Sequence, residues 1–132
     1  LHGVKGVGGH GWAWARDRAC VCGWRPSPAA DGPTRAFQQR AHVFWECPCA
    51  KTVIRCVRER LGGAPVSPVQ VWLLSPAPHS MAESGWFVLA LAALNAMLKL
   101  RGVYESGGAE LVRGKASDLL DRAWQDFLAS QF

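Results

Sequence analysis

Apolar residues recur at helical spacing directly after Pro48. Their positions are Val53, Ile54, Val57 and Leu61. Proline suits the first turn of a helix, where its missing N–H is not needed, and glycine is common just after a helix ends. Because Gly62 and Gly63 follow the last apolar position, the pattern predicts a helix from Pro48 to about residue 61.

The second half of the chain predicts two more helices. Residues 82–104 are almost continuously apolar, which is typical of a long and mostly buried helix. Residues 108–130 carry an apolar stripe along one helical face: Val112, Ala116, Leu119, Leu120, Ala123, Phe127 and Leu128. Prolines punctuate residues 64–80, where the stretch 69–74 fits either a short helix or a short strand.

The N-terminal part lacks a comparable period. Residues 1–11 are rich in glycine and predict a flexible lead-in, and residues 12–24 alternate weakly, as a short strand running into a turn would. Residues 25–36 hold three prolines and an Asp-Gly pair, which predicts a loop. We expect little β structure in this fold.

Composition and charge narrow the class of protein. A hydrophobic content of 49% in 132 residues indicates one folded domain with a modest core. Its longest apolar run, residues 86–98, is shorter than the ~20 residues of a membrane span, so no membrane association is expected. Residues 1–62 carry ten Lys/Arg against four Asp/Glu, which predicts attraction to polyanions and to nucleic acid first.

All five cysteines lie in this basic half. An odd number disfavours a disulfide framework and favours an intracellular, reducing compartment, although it does not distinguish nucleus from organelle. The chain begins at Leu1 rather than Met, so we expect it to be a piece of a longer polypeptide.

Cysteine and histidine spacing gives the strongest chemical signal. A Cys-x-Cys pair precedes Gly23, and a His-x4-Cys pair follows 19 residues later, just before Pro48. Zinc prefers four soft or borderline ligands in a tetrahedron, and two pairs close in sequence supply them. The predicted ligands of one structural Zn2+ are Cys20, Cys22, His42 and Cys47.

Two alternatives stay open at this point. Cys49 repeats the Cys-x-Cys spacing, so Cys49 in place of His42 would give a four-cysteine site. In the second alternative these residues bind no metal and are buried apolar cysteines beside a core histidine. Cys56 is expected to be a core cysteine of this kind.

These residues resemble a known module, the zinc-binding region at the C-terminal end of non-LTR retrotransposon reverse transcriptases. That module reads as a cysteine pair, a loop, then His-hydrophobic-hydrophobic-x-x-Cys-Pro and a helix. The matching residues here are His42, Phe44, Trp45, Glu46, Cys47 and Pro48. Residues 82–106 match loosely, with Lys99, Arg101 and Tyr104 in comparable places. This chain departs from the family in its first pair, which is usually Cys-x-x-Cys.

The resemblance implies RNA or DNA binding near a reverse-transcribing core, with polymerase and endonuclease chemistry elsewhere in the parent polypeptide. The candidate nucleic-acid-binding residues are Arg16, Arg18, Arg25, Arg35, Arg40, Lys51, Arg55 and Arg58. Trp12, Trp14 and Trp24 lie among them and are candidates for base stacking, whereas Trp45 is assigned to the core. No P-loop or Gly-x-Ser-x-Gly pattern is present, and we expect no enzymatic activity.

The expected organisation is a flexible lead-in at 1–11, a zinc-binding module at 12–62, a proline-rich linker at 63–81 and a helical segment at 82–132 that packs on the module. The expected fold is mainly α, with a small zinc knuckle followed by a helical bundle. An alternative function is a protein–protein assembly module stapled by zinc, whose partner contacts the helical segment.

Overall fold

The computed structural model describes residues 19–78 and 81–131, which form helices joined by loops. In chain order these are α1 (Gly32–Ala41), a π-helical segment (His42–Glu46), α2 (Pro48–Arg60), α3 (Pro68–Trp72), α4 (Glu83–Lys99) and α5 (Arg101–Ser130). Within the described ranges no strand occurs, and a cysteine–histidine cluster precedes the helical bundle. The predicted mainly α fold is therefore confirmed. The lead-in at 1–11 lies outside the described residues.

Helix α1 begins inside the predicted loop. Pro33 stands in its first turn, but the helix carries few apolar residues and only Gln39 is buried. A helix with so weak an apolar stripe leaves no period of 3.6 to detect. The described part of the predicted strand, residues 19–24, instead forms a turn.

Helix α2 has the predicted bounds, from Pro48 to Arg60. Its buried face includes Val53 and Val57, which join the central core. The chain leaves α2 through Gly62 and Gly63, whose φ angles of 69° and 88° suit glycine. Arg58 donates to the carbonyl oxygens of Gly63 and Ala64 and so fixes this exit.

The predicted helix 82–104 ends earlier, at Lys99, and the chain bends by 104° before α5. Leu100 at the bend is buried, and Arg101, the first residue of α5, is buried as well. Helix α5 contains a second irregularity at Gly108, where φ is 73° and ψ is −171°. Apolar residues continue across the bend, from Met97 and Leu98 to Val103 and Tyr104, so the periodicity does not mark the break.

Helices α4 and α5 form the largest packing unit with α2. Trp86, Leu89 and Met97 of α4 and Leu120 of α5 are fully buried. Gly85 permits a close approach, because a Cβ there would lie 3.1 Å from the Trp124 ring of α5. Exposed ion pairs join α2 to α5 at the surface: Arg60 with Asp121, and Arg113 with Glu59.

The predicted linker contains α3, which is hydrogen-bonded to the π-helical segment and to α4. Ser67 caps α3 by accepting from the backbone of Gln70. The Trp72 indole donates to the carbonyl of Phe44 (3.2 Å), and the Trp86 indole donates to the carbonyl of Gln70 (2.9 Å). The stretch 69–74 is therefore helical for most of its length.

Across the described residues, no single helix has both the length and the apolar content of a membrane crossing. Helices α4 and α5 meet these criteria only when taken together across their bend.

Candidate metal centre and basic cleft

A tight turn brings Cys20 and Cys22 to one place. The amide of Gly23 donates to the carbonyl of Cys20 (2.8 Å), and the amide of Cys20 donates to the carbonyl of Trp24 (2.7 Å). Gly23 has a φ of 96°, a left-handed conformation in which a side chain would be strained. The sequence folds here as a short loop because glycine closes the turn.

Pro48 and the π-helical segment position the second pair. Proline disfavours helical geometry in the residue before it, and Cys47 is extended accordingly, with φ −61° and ψ 138°. The amide of Cys47 donates to the carbonyl of His42 five residues earlier (2.7 Å), which is the π-helical bond. The chain therefore bends at Cys47 and starts α2 with Pro48.

The structure brings the four predicted metal-ligating side chains together. The ligand atoms of Cys20, Cys22, His42 and Cys47 all lie within 4.8 Å of one another. The Sγ atoms of Cys20 and Cys47 are 3.6 Å apart, and Cys22 Sγ is 3.2 Å from His42 Nε2. Cys49 lies outside this group, and burial raises the pKa of its thiol to about 11.

Neighbouring groups orient the imidazole of His42. The Trp24 ring stacks on it with centroids 4.3 Å apart and planes 7° from parallel. His42 Nε2 faces the thiols, whereas the buried Nδ1 has no hydrogen-bond partner and lies 4.0 Å from Glu46 Oε1. A carboxylate near the second ring nitrogen is common around metal-binding histidines. One face of the Trp24 ring is thus covered by His42, and the side chain as a whole is half-buried.

The electrostatics of the cluster favour a thiolate. The pKa of Cys20 is lowered to about 4, first by a hydrogen bond from Cys47 and then by the Cys22 backbone and Arg101, while burial opposes the shift. The same bond to Cys20, together with burial, raises the pKa of Cys47. Because thiolate is the form of cysteine that binds metals, this environment prepares Cys20 for a metal ion, whereas Cys47 would have to lose its proton when the metal binds.

Arg101 is a member of the site that the sequence did not reveal. Its Nη1 donates to Cys20 Sγ over 3.4 Å, and its side chain is buried. It lies 81 residues from Cys20 in the chain, and the sequence marks it only through the loose resemblance of residues 82–106, with no link to the cysteines.

A basic cleft lies along α2, next to the cluster. Three exposed cations of the candidate set, Lys51, Arg55 and Arg58, line it together with Ile54, Val66 and the ring of Trp45. Its volume is about 230 Å³. Trp45 packs against the core as predicted, and its half-buried ring also forms part of the cleft wall.

The remaining candidate cations do not line this cleft. Arg25 is exposed in the loop before α1, Arg35 donates to the carbonyl of Ala30, and Arg40 lines a separate apolar groove. Arg16 and Arg18 lie outside the described residues, as do Trp12 and Trp14.

Comparisons of the chain with protein families, with curated proteins and with solved structures found no match. The class of protein is therefore defined by its own fold and site. It is a helical protein with a Cys3His cluster that fits a metal ion, placed at the start of a basic helix.

Proposed function

We propose that this protein is a non-catalytic module that binds RNA or DNA and is held in shape by one structural zinc ion. The observation that carries the proposal is the junction at Cys47. This member of the cluster is the residue directly before α2, and α2 presents the basic cleft. A metal held there fixes the start of the helix that meets the nucleic acid.

Zinc is the metal that the donor set favours. Three thiolates and one imidazole form one of the common structural zinc ligand sets. Two sulfurs bound to one zinc at about 2.3 Å in a tetrahedron lie about 3.8 Å apart. The 3.6 Å separation of the Cys20 and Cys47 sulfurs is close to this value.

A charge argument also supports the zinc proposal. Three thiolates and a neutral imidazole around Zn2+ carry a net charge of −1. Arg101 supplies the compensating positive charge at Cys20, within a buried environment where an unpaired charge would be costly.

The donor set also argues against catalysis at this metal. Catalytic zinc sites usually keep one position open for water or substrate, whereas four protein ligands complete a tetrahedral shell. The role proposed for the ion is therefore structural, and its binding contributes to folding directly.

Nucleic acid is the partner that the basic cleft suits best. Arginine and lysine hold phosphates, and an aromatic ring among them can stack on an unpaired base. Lys51, Arg55 and Trp45 combine both kinds of group in one cleft. The resemblance of residues 12–62 to the retroelement module points the same way, and we extend the proposal to a role beside a reverse-transcribing core.

Zinc content of purified variants tests the metal. Wild-type protein is expected to hold one zinc per chain, His42→Ala to lose it, and Cys49→Ala to keep it. Atomic absorption measures the stoichiometry, and circular dichroism reports folding. Loss of zinc from Cys49→Ala with retention in His42→Ala would instead support the four-cysteine site, and no zinc in wild-type protein would overturn the proposal.

A salt titration tests the cleft. Binding of a labelled 20-nucleotide RNA is followed by fluorescence anisotropy for a Lys51→Ala/Arg55→Ala variant. Each lost phosphate contact lowers the slope of log K against log salt by about 0.7 for a single strand, so a decrease of about 1.4 is expected. The matched control removes two exposed cations of α5, Lys115→Ala/Arg122→Ala, and should keep the slope. Equal losses in both variants, or no binding by wild-type protein, would contradict the assignment.

A further inference from the structure

A second groove, separate from the basic cleft, lies between α1, the π-helical segment and α4. Its volume is about 480 Å³. Its walls are mostly apolar and include Phe37, Phe44, Trp72, Leu91 and Leu98. Neither the cysteine cluster nor the cations of the basic cleft line it. The proposed function therefore leaves this groove unexplained.

Helix α4 presents an unusual outer face to this groove. While Trp86, Leu89 and Met97 are buried on its inner side, an apolar row runs along the outer side: Phe87, Leu91, Leu94 and Leu98. The row has steps of four, three and four residues, which is the spacing of a coiled-coil seam.

Exposure of this row is high for apolar side chains. Leu91 is 49% exposed, Leu98 is 44% exposed, and Phe37 across the groove is 58% exposed. A helix that is apolar all round is normally buried on every side. Within residues 19–78 and 81–131, no element covers the outer side of α4 at these positions.

The exposed area suits one docked helix. Phe37, Leu91 and Leu98 line the groove. Together with Phe87, which continues the α4 row outside the groove, they expose on the order of 400 Å² of apolar surface, comparable to the largest apolar patches of monomeric proteins. A standard interface buries about 800 Å² on each partner, so a second copy of this chain would need a larger surface. Amphipathic helices bind in apolar grooves through anchors at the same spacing as this row.

Charge at the groove indicates the chemistry of that helix. Arg40 lines the groove and is exposed, and the exposed Lys99 follows Leu98 at the end of α4. Asn95 adds an amide, and the described residues that line the groove include no carboxylate. A partner with acidic side chains beside its apolar seam would pair with these cations.

We propose that the groove binds an amphipathic helix of a protein partner, with a leucine-type seam flanked by acidic residues. The apolar seam inserts between Phe37 and the α4 row, and an acidic flank pairs with Arg40. The protein then joins two partners through separate surfaces, with nucleic acid at the basic cleft and a helix at this groove.

Two synthetic helical peptides of two heptads each provide the test. Both carry leucine at the seam positions, one has glutamate on the flanks, and the other has lysine. Fluorescence anisotropy with the whole chain is expected to show at least tenfold tighter binding of the glutamate peptide. Leu91→Asp should weaken this binding at least tenfold, whereas Leu111→Asp, which changes an exposed leucine of α5, should not. Arg40→Glu should reverse the preference between the two peptides.

Several outcomes would overturn the proposal. These are equal binding of both peptides, no binding of either, or equal losses from Leu91→Asp and Leu111→Asp in variants that circular dichroism shows to be folded. Sedimentation equilibrium tests whether a second copy of this chain occupies the groove. A wild-type dimer that Leu91→Asp converts to monomer would show that it does. Displacement of the glutamate peptide by a 20-nucleotide RNA would assign the groove to nucleic acid instead.

Discussion

The two ends of α2 meet very different surroundings. At its N-terminus the buried groups are thiols and an imidazole, Cys20, His42 and Cys47, held by a short turn and a π-helical segment. Toward its C-terminus α2 packs on α4 and α5, where the buried groups are large apolar side chains such as Leu89 and Leu120. The first region buries potential metal ligands, whereas the second buries large apolar side chains.

This difference concerns the source of stability in each region. Burial of apolar area stabilises α4 and α5 without any ligand. The cluster instead buries thiols and an imidazole, which stabilise the fold only when they have bonding partners, and a metal ion bound there would supply those bonds. The two regions should therefore respond to different perturbations, and each prediction below separates them or shows that they act as one.

Metal removal should have the largest effect. Structural zinc contributes on the order of 10 kcal/mol to the domains that bind it. A strong chelator should therefore lower the unfolding midpoint by more than about 20 °C and reduce the combined near-ultraviolet signal of the tryptophans, which include Trp24 beside His42, with a smaller loss of helical signal. Calorimetry and circular dichroism measure both. Simultaneous loss of all helical signal would show that the cluster and the helices unfold as a single cooperative unit, which contradicts the expected difference between the two regions.

Leu89→Ala should cause the next largest loss of stability and should affect the helical region alone. Leu89 is 1% exposed, and removal of a buried leucine side chain costs about 2–5 kcal/mol. Urea unfolding measures the loss, and the zinc content should stay unchanged. Leu91→Ala on the exposed side of the same helix is the control, with an expected cost below about 1 kcal/mol. A variant that loses its zinc as well would show that the core supports the cluster.

Arg101→Gln should affect both regions, lowering the stability of the fold and the affinity of the cluster for zinc. It belongs to α5 but donates to Cys20, and loss of one member of a buried charge pair costs about 3 kcal/mol. Removal of such a supporting group should also weaken zinc affinity about 10- to 100-fold, as competition with a chromophoric chelator would measure. Arg122→Gln, an exposed arginine of the same helix, should change neither quantity. Unchanged zinc affinity in Arg101→Gln would mean that this contact does not support the metal.

Gly85→Ala should give the smallest effect, again confined to the helices. The added Cβ would meet the Trp124 ring at 3.1 and 3.3 Å, so the free energy of unfolding should fall by about 1 kcal/mol despite alanine's better helix propensity. Gly102→Ala meets no atom within 4 Å and should raise stability by up to about 1 kcal/mol. Thermal melts compare the two variants. A stability change of the same sign in both variants would show that the Trp124 ring moves aside easily to accept the added Cβ.

Sequence predicted best those features whose determinants are close together in the chain. Pro48 and Gly62 frame α2, so both ends of that helix were visible. Each pair of the cluster, such as His42 with Cys47, is likewise local, and the structure places the two pairs together.

The features that the sequence did not reveal depend on distant contacts or on weak patterns. Helix α1 carries almost no apolar stripe, and its first half, residues 32–36, lies in the stretch whose prolines and Asp-Gly pair predicted a loop. The bend at Leu100 interrupts a row of apolar residues that continues from Met97 to Tyr104, so the sequence pattern does not mark it. Arg101 reaches Cys20 only after the chain has folded back, and no local spacing encodes that contact.

The distance between Arg101 and the cluster also gives the site an order of assembly during synthesis. All four cluster residues are translated by Cys47, whereas Arg101 follows 54 residues later. At about 5–20 residues per second, that interval lasts about 3–11 s. A zinc ion captured by the nascent chain would first sit in a knuckle with an uncompensated negative charge. In the proposed zinc-bound site, folding of α5 onto the module would then bring Arg101 to Cys20 and neutralise this charge, so the compensating residue is synthesised after all four ligands.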